Sequence, residues 1–328
     1  MPGPEHIRLR SSARSHMGQV RENNEDFVHL WAQDQLLLAI VADGMGGAVA
    51  GEEASRIAVD TIQKDLTAKE HSVDQIEQDD LSDKLVAVIR RANMNIVEHS
   101  TARPELKGMG TTVTLALIRS KEVIVAHVGD SRAYLIDGQD GLITQITSDH
   151  SFVEALLQAG HITREQAEDH PMRNVLYRAL GQAEEVDVDL YYHHLHIGDC
   201  MVLCSDGLTR HVRPEEIAQL TLGEDNPEVI SQKLVDLANK RGGEDNVSVI
   251  VVKVDADDTG EKNKRAVATY DDEEDTVLMP NHPALQPSKN QEEEYHDEDP
   301  TLIDKDRSFR AVRSFSGGEG SDPFKPTQ

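Results

Sequence analysis

Four aspartates stand where an apolar run meets a glycine-containing turn: Asp43 in Ala42-Asp43-Gly44, Asp130 in Gly129-Asp130-Ser131, Asp206 in Ser205-Asp206-Gly207 and Asp245 in Gly243-Glu244-Asp245. Glu25 and Asp26 abut a further run beginning at Phe27. One carboxylate at a strand end is unremarkable, and a polar turn after a core strand is its plain reading. Six of them meeting at one end of facing sheets would repel and take up protons unless cations neutralised them. No His or Cys accompanies them at ligand spacing, and an all-oxygen donor set favours Mg²⁺ or Mn²⁺ over zinc. The twelve-residue loop of a calcium-binding EF-hand is absent.

The elements that must position these groups are read from periodicity. Leu36 to Ala42 is seven apolar residues in succession, the pattern of a strand buried on both faces, and it delivers Asp43 into Gly44-Met45-Gly46-Gly47. A hairpin between Phe27–Trp31 and this strand would bring Glu25 and Asp26 to Asp43. Glu122 to Val128 runs into Asp130, Ala133 to Ile136 resumes as strand, and Cys200 to Cys204 runs into Asp206. Val247 to Val254 follows Asp245 as the last strand. Short turns between consecutive strands point to antiparallel sheet.

Apolar spacing predicts helices over 51–66 (Ala54, Ile57, Ala58, Ile62, Leu66) and over 85–96 (Leu85, Val88, Ile89, Ala92, Ile96), with a loop at 69–80 between them. A short helix capped near Ser151 and a longer one opened by Asn226-Pro227 are also expected. The start of the chain reads as a loose basic segment. The stretch from Ser148 to Gly181 reads as mostly irregular, in the position of a flap over a site.

Composition divides the chain. Residues 1–254 carry every strong apolar run and 41 acidic against 24 basic side chains, a net charge of −17, and are expected to form one globular domain. Residues 255–328 carry 19 acidic and 9 basic side chains with six of the twelve prolines, and are expected to be an acidic, disordered tail. So negative a chain argues against nucleic acid and anionic membrane partners, which require Lys and Arg patches. Without an apolar run of membrane-spanning length or a signal peptide's apolar core, the expectation is a soluble, cytoplasmic monomer. Cys200 and Cys204 on one strand would lie roughly 13 Å apart, too far for a disulfide.

Six segments together resemble the metal-dependent serine/threonine phosphatases of the PPM family, type 2C, in their bacterial form. They are Arg21-Glu22-Asn23-Asn24-Glu25-Asp26, Ala42-Asp43-Gly44-Met45-Gly46-Gly47, Gly110-Thr111-Thr112, Gly129-Asp130-Ser131-Arg132, Cys204-Ser205-Asp206-Gly207-Leu208 and Gly243-Glu244-Asp245-Asn246, in the family's order. The resemblance implies an α+β fold, a four-layer α-β-β-α sandwich of two mainly antiparallel sheets. It implies that Asp43 bridges two divalent ions, Mn²⁺ or Mg²⁺, and that Gly44 offers one of them a backbone carbonyl. Asp206 and Asp245 match ligands of the second ion, while Glu25 and Asp26 match residues that hold metal-bound waters or touch a metal directly. Asp130, with Asp206, matches the site of a weaker third metal, and Arg21 matches the group that grips the substrate phosphate.

Two ions about 4 Å apart can activate a shared water for in-line attack on a phosphoserine or phosphothreonine, so no protein nucleophile is needed. Two departures stand out. Met45 occupies the place where many relatives carry a His proposed as general acid, and His16 stands where many have Asp. His193, His194 and His196 read as structural residues of a strand. An inactive phosphatase-like module and a metal-dependent nuclease are the competing readings; intact ligand positions weigh against the first and the negative charge against the second.

In the tail, Glu274-Asp275-Thr276-Val277-Leu278 and Asp299-Pro300-Thr301-Leu302-Ile303 share acidic residues, a threonine and an aliphatic pair. The plain reading is a solubilising appendage. The sharper one makes Thr276 and Thr301 targets of a Ser/Thr kinase, with the tail docking that kinase or a phosphothreonine-binding domain.

Overall fold

The computed structural model describes residues 7–33, 35–67 and 78–257. In chain order the strands and helices are β1 (Ile7–His16), β2 (Asp26–Gln33), β3 (Leu36–Met45), α1 (Ala48–Thr67), α2 (Gln78–Ala102), β4 (Gly110–Thr111), β5 (Val113–Arg119), β6 (Glu122–Val128), β7 (Arg132–Ile136), β8 (Ile143–Gln145), α3 (Phe152–Gln158), α4 (Arg164–Glu168), β9 (Asp189–His194), β10 (Cys200–Cys204), α5 (Asp206–Thr209), α6 (Pro214–Leu222), α7 (Pro227–Lys240) and β11 (Val247–Ala256). One sheet runs β1-β11-β10-β7-β8 and the other β2-β3-β5-β6-β9, with β4 paired to β3; every pairing is antiparallel.

Strand alternation builds the layers. From β3, Leu36, Leu38, Ile40 and Ala42 face α1 and α2, where they join Ile62, Leu66, Leu85 and Ile89. Leu37, Ala39 and Val41 face the other way and meet Met201, Leu203, Ile250 and Val252 of the opposing sheet. That sheet's outer face, through Val202, Cys204, Val249 and Val251, packs on Leu208, Ile217, Ile230 and Leu234 of the C-terminal helices. Helix, sheet, sheet and helix are therefore held by three apolar layers, the expected four-layer sandwich. At ~25 cal/mol per Å² of apolar surface, these layers supply the main driving force for the fold.

Several local expectations need correction. The basic start is not loose: Ile7 and Leu9 alternate with Arg8 and Arg10, and β1 pairs along its whole length with β11. Arg10 is held there by Asp225 and Asp255. Helix α2 begins at Gln78, inside the stretch expected as a loop, and the rest of that stretch lies outside the described residues. Within the expected irregular stretch, α4 forms because Thr163 and Gln166 make a reciprocal capping box. Helix α6 was not anticipated; Pro214 at its first turn and Glu215 and Glu216 beside it are the signals. Of the three histidines expected on one strand, His193 and His194 lie on β9 and His196 just beyond it; His194 is exposed and paired to Glu122 at 2.6 Å, and His196 is exposed beside Asp199. Cys200 and Cys204 are buried free thiols. Strand β11 continues to Ala256, two residues past the expected boundary, while Thr276 and Thr301 lie outside the described residues. Among the described residues no helix is long and apolar enough to cross a membrane.

His127, on β6 inside the core, sets a pH limit on stability. Its ring lies 2.9 Å from Thr114 Oγ1 and 3.2 Å from the Ser148 carbonyl, and burial, helped by the neighbouring His150, pushes its pKa down to about 3. Between that value and the ~6.5 of an unfolded histidine, only the unfolded chain takes up the proton. Its contribution is therefore complete above pH 6.5 and is lost as pH falls, by about 2 kcal/mol at pH 5. A His127→Gln variant should be less stable than wild type at pH 7.5, with the gap narrowing by that amount at pH 5 in urea unfolding curves. Parallel curves would assign the proton uptake elsewhere.

Candidate functional site

Antiparallel pairing gathers the acidic residues at one end of the sandwich. Asp26, first residue of β2, is directly opposite Asp43 near the end of β3. Cys204, at the end of β10, is opposite Val249 near the start of β11, which places the following Asp206 beside Asp245. Val128, at the end of β6, is opposite Val113, which follows the segment paired to β3. Asp43, Asp130, Asp206 and Asp245 together line one cleft of about 420 Å³, with Glu25, Gly44 and Arg21 in its wall. Every residue predicted for the site except Asp26 lines this cleft; Asp26 is buried immediately behind it.

Local contacts explain the motifs. Thr112 clamps Asp43 from both sides: its backbone N–H donates to the Asp43 carbonyl at 2.9 Å and its Oγ1 accepts from the Asp43 N–H at 3.0 Å. Thr111 Oγ1 donates to the same carbonyl at 2.8 Å. Gly44 is required by space, since a Cβ there would lie 2.2 Å from the Gly51 carbonyl oxygen and 2.6 Å from that of Glu25. The opposite edge is tied by Asn246, whose Oδ1 accepts from the Glu25 N–H at 2.8 Å and whose Nδ2 donates to the Met17 and Asn23 carbonyls, each at 2.9 Å. His16 Nδ1 accepts from the Gly18 N–H at 2.8 Å, a turn-stabilising role.

The electrostatics are those of crowded like charges. Burial, and then repulsion from Asp26, Asp206, Asp130 and Asp245, holds Asp43 well above the usual carboxylate range. Burial likewise pushes Asp26 up to about 7 and Asp130 up to about 8, with Asp206 adding to both. Asp26 Oδ2 accepts from Ser205 Oγ at 2.7 Å, while its Oδ1 is buried without a partner. Among the described residues no three acidic, His or Cys side chains form a ready-made cage around a single ion. Arginines meet part of the charge instead. The Arg210 guanidinium spans Asp206 and Asp245, reaching the latter at 3.1 Å, and Arg21 pairs with Asp245 at 2.9 Å. An orphaned buried acceptor and an oxygen-only donor set, most of it raised in pKa by burial first and mutual repulsion second, suit hard divalent cations.

Sequence reasoning missed Arg210, although its position four residues after Asp206 on helical chain is a readable pairing signal. It also passed over Asn246 as a structural hub and Arg178 as a lining residue. The segment expected as a flap contributes Asn174, Leu176, Tyr177, Arg178 and Ala179 to the cleft wall.

A sequence model described as protein phosphatase 2C matches residues 14–237, a span that includes every site residue except Asp245. The chain belongs to the protein phosphatase 2C family. Among curated members, the chain is 40% identical over 275 residues to the serine/threonine protein phosphatase PstP of Mycobacterium tuberculosis, covering 83% of this chain and 50% of PstP. It therefore spans about half the length of that relative. The serine/threonine phosphatase stp of Listeria monocytogenes is 36% identical over 256 residues, 77% of this chain and 98% of its own. Solved 2C-family relatives superpose across the same region. Stp1 of Staphylococcus aureus has a TM-score of 0.71 at 37% identity, covering 76% of this chain and 96% of its own. The catalytic domain of PstP, solved in complex with two manganese ions, has a TM-score of 0.65 at 39% identity, covering 76% and 99%.

Proposed function

We propose that this 2C-family chain removes phosphate from phosphoserine and phosphothreonine in proteins with the help of two divalent cations, Mn²⁺ or Mg²⁺. The observation that carries the reading is the convergence of Asp43, Asp130, Asp206 and Asp245 in one cleft with Arg21 in its wall. Asp43, Glu25, Asp26, Asp206, Asp245 and the Gly44 carbonyl are the groups that would hold the ions; Asp130 with Asp206 would hold a weaker third. When bound, such ions supply Lewis acidity and a nucleophile at neutral pH.

The chain's own residues do the rest. Thr112 fixes the Asp43 backbone through both its N–H and its carbonyl, which holds the residue at the cleft wall. Arg21 is exposed, and its pairing to Asp245 is the kind of bond a substrate phosphate can take over, giving a charge-assisted fork to two phosphate oxygens. Met45 lines the cleft but carries no proton, so its role is shape. The leaving alkoxide's proton must come from another group.

Purified protein with Mn²⁺ should hydrolyse an aryl phosphate and a phosphothreonine peptide, and excess chelator should abolish both activities. No turnover of either substrate at saturating Mn²⁺ would exclude the reading. Calorimetric titration should resolve a weak third Mn²⁺ equivalent that Asp130→Asn removes.

A Ser/Thr kinase and its substrates are the natural phosphoprotein partners of such an enzyme, and the repeated Thr276 and Thr301 segments are the tail's contribution to that pairing. Pull-downs with the full chain and with a Thr276→Ala/Thr301→Ala variant, each treated with kinase, should differ in recovery of a phosphothreonine-binding domain. Equal recovery would leave the tail a solvated appendage.

A further inference from the structure

Behind the cleft wall a chain of polar contacts joins two parts of the site that are far apart in sequence. His150 is 1% exposed, and its Nδ1 lies 3.0 Å from the Gly129 N–H, which it must accept. That bond fixes the ring as the tautomer protonated on Nε2. Nε2 in turn lies 3.1 Å from Asp189 Oδ2, which accepts it. The other oxygen, Asp189 Oδ1, accepts from Arg178 Nη1 at 2.6 Å. Arg178 Nη1 also stands 3.1 Å from His150 Nε2, but two donors face each other there, so the guanidinium is held by Asp189.

Each end of this chain reaches the cleft. Gly129 precedes Asp130 and has φ +118°, and a Cβ on it would sit 2.5 Å from Thr112, so the turn is set by close contact. His150 grips that turn twice, because its own N–H also donates to the Gly129 carbonyl at 2.7 Å. At the far end, Arg178 lines the cleft from the flap segment, its guanidinium 5.8 Å from the Tyr177 ring centroid. Tyr177 is itself 57% exposed in the cleft wall.

We propose that His150 and Asp189 are positioning residues, a relay that holds the Asp130 turn and the Arg178 guanidinium in fixed relation within one cleft. The proposal rests on the phosphatase reading for its catalytic consequence. The Asp130 turn bears on the reacting centre, whereas Arg178 stands on the flap side, where a peptide chain flanking the phosphorylated residue would lie. Burial favours a neutral ring at His150, as the tautomer requires. Bonds from His150 and Arg178 outweigh the desolvation of Asp189 and keep it a carboxylate.

Two substitutions separate the ends of the relay. His150→Gln can still reach Asp189 but withdraws the acceptor from Gly129. His150→Asn places an amide oxygen near the Nδ1 position, keeping that acceptor while losing Asp189. With Mn²⁺ present, His150→Gln should lower kcat about tenfold on both an aryl phosphate and a phosphothreonine peptide, with little change in KM. His150→Asn should hold kcat within about twofold and raise KM about fivefold for the peptide only, and Asp189→Asn should reproduce that pattern.

Independently of turnover, ¹⁵N NMR of the wild-type metal-free protein should show His150 protonated on Nε2 and bare at Nδ1. Equal kcat losses in the two His150 variants, or a ring protonated on Nδ1, would overturn the relay. A wild type that carries the expected tautomer yet turns over neither substrate would overturn the phosphatase reading instead.

Discussion

Asp43→Asn should lower kcat/KM by roughly 10²–10³-fold while making the metal-free protein more stable. The two effects have one cause. Asp43 is surrounded by Asp26, Asp130, Asp206 and Asp245, and burial plus their repulsion holds its carboxyl well above the usual range. In the absence of cations its charge is a liability to the fold. Asparagine keeps the shape, and the clamp by Thr112 acts on backbone atoms, so the variant retains its position without the charge. A cation that would have been held by that charge is then held poorly, and a group aimed at transition-state charge is worth about 3 kcal/mol or more when removed. Thermal melts in chelator should therefore place Asp43→Asn above wild type. Saturating Mn²⁺ should raise the melting temperature of wild type by more than that of the variant, because only binding to the folded state stabilises it. Unchanged turnover, together with an unchanged Mn²⁺-induced shift, would remove Asp43 from the site.

That prediction draws on residues whose placement was legible in the sequence, and the reason is physical. A seven-residue apolar run can be satisfied only by burial on both faces, so β3 and the position of Asp43 at its end follow from composition alone. The hairpin that sets Asp26 against Asp43 follows from a short connection between two strand-like runs. What stayed hidden depends on contacts between distant segments. β1 is recognisable only when its partner β11 is known, since a strand with three arginines and three serines has no apolar run of its own. Arg210 is readable as a neighbour of Asp206, but its second bond, to Asp245, exists only because β10 and β11 are adjacent. His150 reads as part of a helix cap and is instead joined to Gly129 and Asp189, 21 and 39 residues away. The family motifs located the acidic residues because those lie at strand ends; the polar groups that hold them in place come from wherever the fold brings a donor.

Asn246 is the strongest instance of such a group, and its removal should have the largest effect on stability of any polar substitution around the cleft. It is 4% exposed, and its side chain makes three hydrogen bonds of 2.8 to 2.9 Å to the backbone of Met17, Asn23 and Glu25. These three positions belong to the connection between β1 and β2, which otherwise has little apolar packing to hold it. Its backbone is equally constrained, because a Cβ on Gly207 would lie 1.9 Å from the Asn246 carbonyl oxygen, so the start of β11 cannot shift toward α5. Asn246→Ala strands a buried N–H at Glu25 and leaves two carbonyls to find water, at a cost of about 3 kcal/mol. Asn246→Asp should recover little of this: it restores an acceptor for Glu25 but turns an acceptor-only group toward the Met17 and Asn23 carbonyls. Because the freed loop leads directly into Glu25 and Asp26, Mn²⁺ affinity should fall with stability, even though Asn246 supplies no charge. Urea unfolding and calorimetric Mn²⁺ titration of both variants are the measurements. A loss below about 0.5 kcal/mol, the range of an ordinary surface substitution, with unchanged Mn²⁺ affinity would show that the loop is held by something other than Asn246.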